Sequence, residues 1–340
     1  MLVFFVFSKF NLIIIILMIM IYLFKGCVNM KKIELHLHLD GSLNIDYVNK
    51  IMNKDCSLDL ISNNSKDLKE YLTKFSLPIS LLQDKNNIEE FCYMLAKDLE
   101  NDEVIYAEVR FCPLFHVEKT SIDELIEAMI NGFNRVSTVK VNLIFCMMRH
   151  FDFNKNKHII ELTKKYLGKG VVAIDLAGDE KNFPTSNFEE LFKIIREEQI
   201  PFTIHAGEAD GIDSINAAIN FGTKRIGHGV RAIENSDTVK KLIDNNILLE
   251  VCPKSNLDTN LVDDISKHPI KKLVDAGVLV SINTDNRTVS NTSLNYEYEL
   301  LKNNFGFSDE DFIKFNINAI NGAFISNEEK EELKNKLLEN

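Results

Sequence analysis

The chain has 340 residues, 45% of them hydrophobic, so it can bury a large core, and an α/β barrel of this length is ordinarily one domain. Its 39 basic and 50 acidic side chains leave a formal net charge of −11, which argues against nucleic acid or an anionic membrane surface as the main partner. A highly anionic substrate is disfavoured more weakly, because a local basic patch can oppose the net charge.

The first segment, Leu2–Phe24, is almost wholly apolar and broken only by Ser8, Lys9 and Asn11. About 20 such residues cross a bilayer. Three readings of residues 1–29 compete: an upstream mis-start with the folded protein opening at Met30, a retained anchor, or a cleaved signal. As an anchor, Lys25, Lys31 and Lys32 outweigh Lys9, and the positive-inside rule leaves the body in the cytoplasm. Six cysteines (27, 56, 92, 112, 146 and 252) with no C-x-x-C and no disulfide-like spacing agree with a cytoplasmic, reduced setting. Residues 30–340 are expected to form the folded domain.

The first strand, 33–39, lies in KIELHLHLDG, which alternates polar and apolar residues. A strand puts residues i and i+2 on one face, so Glu34, His36, His38 and Asp40 face one way and Ile33, Leu35, Leu37 and Leu39 the other. Two adjacent imidazoles followed by a carboxylate can begin a metal site; alone they could equally be hydrogen-bonded core histidines. The stretch from Ser42 to Glu103 is unusually long and helical in pattern, notably at Ile88–Leu99. An insertion there would lie over the mouth of a barrel, and it is read as a lid.

Further strands are predicted at 104–111, 140–147, 171–176, 201–205, 225–228, 247–252 and 278–284. Helical patterns fill the gaps, as at Ile122–Phe133, Phe188–Glu198 and Ser236–Asn245, and residues 307–340 read as a closing helical tail. Eight strands alternating with helices predict a (β/α)8 TIM barrel with a parallel core and a helical lid insertion after strand 1. Inward parity also falls on Glu34, Glu108, Arg110 and Glu250. Buried charges are costly unless paired, so Arg110 is expected to pair with Glu108 or Glu250 beneath the metal.

Barrel enzymes keep their chemistry at the carboxyl ends of the strands. Four of the eight histidines, His36, His38, His205 and His228, fall there, while His116 and His150 follow strands two and three. His158 and His268 are read as surface residues. His36, His38, His205 and Asp285 supply three imidazoles and a carboxylate, a set that suits zinc, with iron or cobalt open on ligand type alone. A bound ion would let water attack an electrophilic carbon near neutral pH. Glu208, three residues past a ligand, could act as a proton donor if burial raises its pKa. His228 could hold the hydroxide and relay its proton.

The motifs HLHLDGSL (36–43), AEVRFCP (107–113), DLAGDE (175–180), HAGE (205–208), IGHG (226–229), EVCPKSN (250–256) and NTDN (283–286) resemble, in order, those of the adenosine deaminase family of the amidohydrolase superfamily. The resemblance covers residues 30 to about 330. It implies one zinc ion per subunit on His36, His38, His205 and Asp285, with Glu208 protonating purine N1 and His228 and Asp285 orienting the hydroxide that attacks C6. It also implies that Gly178 donates its N–H to purine N3, that Asp40 binds a ribose hydroxyl, and that His38 and Asn286 face the substrate. Asn286 stands where well-known members carry Asp. An amide donates to purine N7 at any pH, whereas a carboxyl must first be protonated.

The implied activity is deamination of adenosine, and of 2′-deoxyadenosine, to the inosine form and ammonia in purine salvage. Adenine and larger adenosine derivatives remain alternatives. AMP is disfavoured because no Arg or Lys cluster lies near the motifs. A non-catalytic barrel would be expected to have lost a ligand or the acid, and all are present.

Overall fold

A computed structural model describes residues 30–62, 65 and 68–339. Its eight parallel strands are β1 (Lys32–His38), β2 (Val104–Phe111), β3 (Lys140–Met148), β4 (Val171–Ala177), β5 (Ile204–Ala206), β6 (Arg225–His228), β7 (Leu248–Val251) and β8 (Leu279–Ile282). The helices, in chain order, are α1 (Ile45–Met52), α2 (Ser57–Leu60), α3 (Leu68–Leu72), α4 (Ser76–Leu81), α5 (Lys85–Asn101), α6 (Ile122–Asn134), α7 (Phe153–Tyr166), α8 (Glu189–Glu197), α9 (Ile212–Asn220), α10 (Ser236–Asp244), α11 (Pro253–Asp258), α12 (Ile270–Asp275), α13 (Leu294–Phe305), α14 (Asp309–Gly322) and α15 (Asn327–Leu338).

The ladders run β1-β2-β3-β4 and β5-β6-β7-β8, and hydrogen bonds cross both seams between these halves. At one seam Ile174 N–H donates to Pro201 O and Thr203 N–H to Ile174 O, each at 3.0 Å. Pro201 has no N–H to give, so the ordered part of β5 begins later than the expected 201–205. At the other seam His38 N–H donates to Asp285 O (2.7 Å) and Asp285 N–H to His36 O (2.8 Å). Side chains complete it. Ile33 N–H donates to Asn316 Oδ1 and Leu35 N–H to Asn283 Oδ1, both at 2.9 Å, and Thr284 N–H donates to the Glu34 carboxylate at 3.2 Å. Buried amides need a partner of some kind, and here polar side chains replace the neighbouring strand.

Local chemistry explains the outer helices. Ser121 and Glu124 form a capping box that opens α6, and its buried stripe (Leu125, Ala128, Met129, Phe133) faces the apolar side of α5. Gly132 permits this contact, since a Cβ there would lie 2.2 Å from Glu89 O. At the amino end of the strands, α14 and α15 pack Ala319, Ile320, Leu333 and Leu337 against Ile33, Leu35, Tyr106 and Leu248, closing the barrel floor as the tail pattern predicts. Helices α1–α5 fill the long insertion between β1 and β2. Among the described residues no helix is long and apolar enough to cross a membrane. The apolar segment 2–24, with its three readings, lies outside the described residues.

Candidate active site

The carboxyl ends of β1, β5 and β8 bring His36, His38, His205 and Asp285 together, with their donor atoms within 4.8 Å of one another. His38 Nε2 lies 3.1 Å from His205 Nε2, and Asp285 Oδ1 lies 3.4 Å from His38 Nε2 and 3.5 Å from His36 Nε2. Burial pushes the pKa of His38 and His205 below the ordinary imidazole value, which favours the neutral ring that a metal requires. Burial opposes ionisation of Asp285, but the neighbouring histidines override it and hold the carboxyl below its usual range. His36 Nε2 is buried without a hydrogen-bond partner. An orphaned ring nitrogen facing two imidazoles and a carboxylate is what a cation would satisfy, so these residues fit a metal centre.

Close approach and strain shape this cluster. A Cβ at Gly227 would lie 2.8 Å from His36 Cε1, so the strand beside the ring must carry glycine there. Both His228 and Asp285 have φ of 61°, in the left-handed region. Such conformations cost on the order of 1–3 kcal/mol and concentrate at functional sites.

Beneath the cluster lies a wholly buried ion network. Arg110 Nη2 donates to Glu250 Oε2 and Nη1 to Asp175 Oδ2, each at 2.8 Å. Glu250 Oε2 also accepts from His36 Nδ1 (2.8 Å), and Asp175 Oδ2 lies 2.9 Å from His205 Nδ1, off the line of a straight hydrogen bond. One guanidinium therefore holds both carboxylates that orient two of the candidate ligands. The expected Arg110–Glu250 pair is present, whereas Glu108 pairs with Arg225. Asp175 and Arg225 were not singled out from the sequence, although an arginine opening an apolar strand was a usable sign.

Glu208 and His228 stand on the other side of Asp285, with Glu208 Oε2 3.6 Å from His228 Nε2. Burial, then the negative charges of Asp285 and Glu180, raise the Glu208 pKa well above the ordinary value. The loop that carries it is clamped by Glu180, whose carboxylate accepts the N–H groups of Gly207, Glu208, Ala209 and Asp210 at 2.6–3.0 Å. Sequence reasoning noted Glu180 only as the last letter of a motif and missed this role.

A cavity of about 240 Å³ opens above these groups. His38, Asp40, Gly178, His205, Glu208, His228, Asp285 and Asn286 line it, and Leu68, Tyr71, Leu72, Phe75 and Ile79 of the insertion border it as an apolar wall. Asp40 Oδ1 sits 2.9 Å from His116 Nε2. Asn286 Oδ1 is buried with no partner. His36 does not line the cavity; it is fully buried behind the other ligands. His268, expected at the surface, is instead only 2% exposed, because its loop folds back and its ring bonds Asn256. The described cysteines, Cys56, Cys92, Cys112, Cys146 and Cys252, are buried and unbridged.

Residues 31–340 match the adenosine deaminase family model. The chain is 40% identical over 322 residues to an adenosine deaminase of Haemophilus ducreyi, covering 88% of this chain and 94% of that protein. Its fold is similar to the crystal structure of an adenine deaminase from Arthrobacter aurescens (TM-score 0.81, 22% identity, 91% of this chain and 98% of that one). It is also similar to that of an amidohydrolase from Burkholderia ambifaria with bound Zn (TM-score 0.81, 20% identity, 92% and 91%). With the strand-end motifs, the parallel barrel and a match over nearly the whole described chain in agreement, this protein belongs to the adenosine deaminase family.

Proposed function

We infer that the chain is a metal-dependent hydrolase that converts adenosine, and 2′-deoxyadenosine, to the inosine form and ammonia, with zinc as its ion. The observation that carries this reading is the juxtaposition, in one cavity, of a His3Asp donor cluster and a buried carboxyl whose pKa is raised. His36, His38, His205 and Asp285 would hold the ion. When bound, it supplies Lewis acidity that prepares water for attack at neutral pH.

The protein's own groups account for the rest. Glu208, kept protonated by burial and by its acidic neighbours, would donate to purine N1 and make C6 more electrophilic. His228 and Asp285 would orient the attacking water. The Gly178 N–H, next to a φ of 101° that suits glycine, would meet purine N3, and the NH2 group of Asn286 would donate to N7. Asp40 would take a ribose hydroxyl, which favours a nucleoside over a bare base. The apolar wall around Tyr71 and Phe75 would act as a lid that keeps bulk water from the ring. Adenine is the second reading, suggested by the Arthrobacter aurescens structure.

Following the ultraviolet change of adenosine to inosine tests this function, with adenine, AMP and deoxyadenosine run in parallel. Turnover should occur with the two nucleosides and disappear with a chelator; faster turnover of adenine than adenosine would overturn the substrate assignment. Asn286→Ala should raise KM about tenfold, the value of roughly one hydrogen bond, with metal content unchanged. Loss of the metal in that variant would move Asn286 into the support of the ligands.

A further inference from the structure

We infer that Asn256 and His268 are positioning residues that hold His228 as its Nε2–H tautomer, with that N–H aimed at the reacting centre. This rests on the deaminase reading of the site and adds residues that the reading did not contain.

The argument starts from a bond with only one sense. The Ile270 backbone N–H donates to His268 Nδ1 at 3.2 Å. An amide N–H cannot accept, so Nδ1 of His268 must be the bare nitrogen. Burial keeps this ring neutral, with its pKa pushed down to about 3, so its one proton sits on Nε2. His268 Nε2 lies 3.1 Å from the Asn256 side-chain oxygen, Oδ1. That contact fixes the orientation of the amide, which ordinarily has to be inferred. The Asn256 NH2 group then faces His228 Nδ1 at 3.1 Å and must be the donor.

His228 Nδ1 is thus an acceptor, and the proton of the neutral ring lies on Nε2. Nε2 is the nitrogen 3.6 Å from the Glu208 carboxyl. His268 is 2%, Asn256 0% and His228 1% exposed, so water cannot readily substitute for any link. The three side chains come from the end of β6, from α11 and from the turn before α12. In this state His228 offers a hydrogen bond to an oxygen at the reacting centre and orients it; it has no lone pair there with which to take a proton. This replaces the proton-relay role suggested by the sequence.

The test uses the metal-loaded full chain with 15N-labelled histidine. Two-bond 1H–15N correlations should place the His228 proton on Nε2 in the native protein and on Nδ1 in Asn256→Asp, whose carboxylate can only accept. Asn256→Asp should lose 10–100-fold in kcat, the usual range for an orienting partner, with KM and metal content unchanged. His268→Met should lose kcat in the same way, and His268→Gln, which keeps a donor near the Nε2 position, should restore most of it. A native His228 protonated on Nδ1 would overturn the proposal even if no variant folds. So would an Asn256→Asp protein with an inverted tautomer and undiminished kcat. Absence of adenosine turnover alongside the expected native tautomer would sink the deaminase reading while leaving the hydrogen-bond chain supported.

Discussion

Arg110→Met should lower metal affinity and stability together. The guanidinium neutralises Glu250 and Asp175, both wholly buried, and each of those carboxylates contacts a candidate ligand ring. Burial by itself opposes the charged form of all three groups. Attraction reverses this: Glu250 and Asp175 raise the Arg110 pKa, Arg110 and Arg225 depress that of Glu250, and His205 and Arg110 depress that of Asp175. Removing the cation leaves Asp175 without an arginine partner and Glu250 with Arg225 alone (2.6 Å) in a dry interior, and breaking a buried pair of this kind costs about 3–5 kcal/mol. The rings of His36 and His205 would also lose their fixed orientation, which typically costs 10–100-fold in metal affinity. Thermal denaturation and a metal-buffer titration measure the two effects. Arg110→Lys should be nearly as damaging, because one ammonium cannot present the two parallel donors that bridge the carboxylates. A stable Arg110→Met protein with native metal affinity would show that Glu250 and Asp175 orient the rings without it.

Glu208→Gln should cut turnover by roughly 10²–10⁴-fold while leaving the metal bound. The carboxyl lies outside the four-donor cluster but shares the cavity with it. Proton donation of this type contributes roughly 10²–10⁴ in rate, and an amide of the same shape cannot supply it. The pH profile gives a second check. The acid must be protonated to act, so the native rate should fall as pH rises through the Glu208 pKa. Because burial, Asp285 and Glu180 all raise that pKa, the fall should come well above the ordinary carboxyl range. The residual rate of Glu208→Gln should lack that limb. Unchanged turnover in the variant would place the acid elsewhere, or revive the reading of a barrel that binds without catalysing.

Alternation along KIELHLHLDG was enough to place His36 and His38 on one face, because side-chain direction in a strand is a local property. The clustering of His205, His228 and Asp285 at strand ends was equally readable, since parallel barrels put all such ends on one rim. Inward parity identified Glu108, Arg110 and Glu250 as buried charges. Parity says which way a side chain points but not what it meets. Arg110 finds Asp175 65 residues away and Arg225 finds Glu108 117 residues away, through the register and tilt of strands that are not neighbours in sequence.

The barrel, the donor cluster and the place of the Glu208 carboxyl beside it were therefore written in local periodicity and spacing. The clamp of Glu180 on four amides and the burial of His268 were not, because both depend on loops folding back over the rim. A histidine in a polar stretch before Pro269 looks like a surface residue until α12 turns its backbone N–H toward the ring. Proton positions at the centre follow from that turn. They are set by the direction of individual hydrogen bonds between distant segments, a property that exists only once the chain has packed.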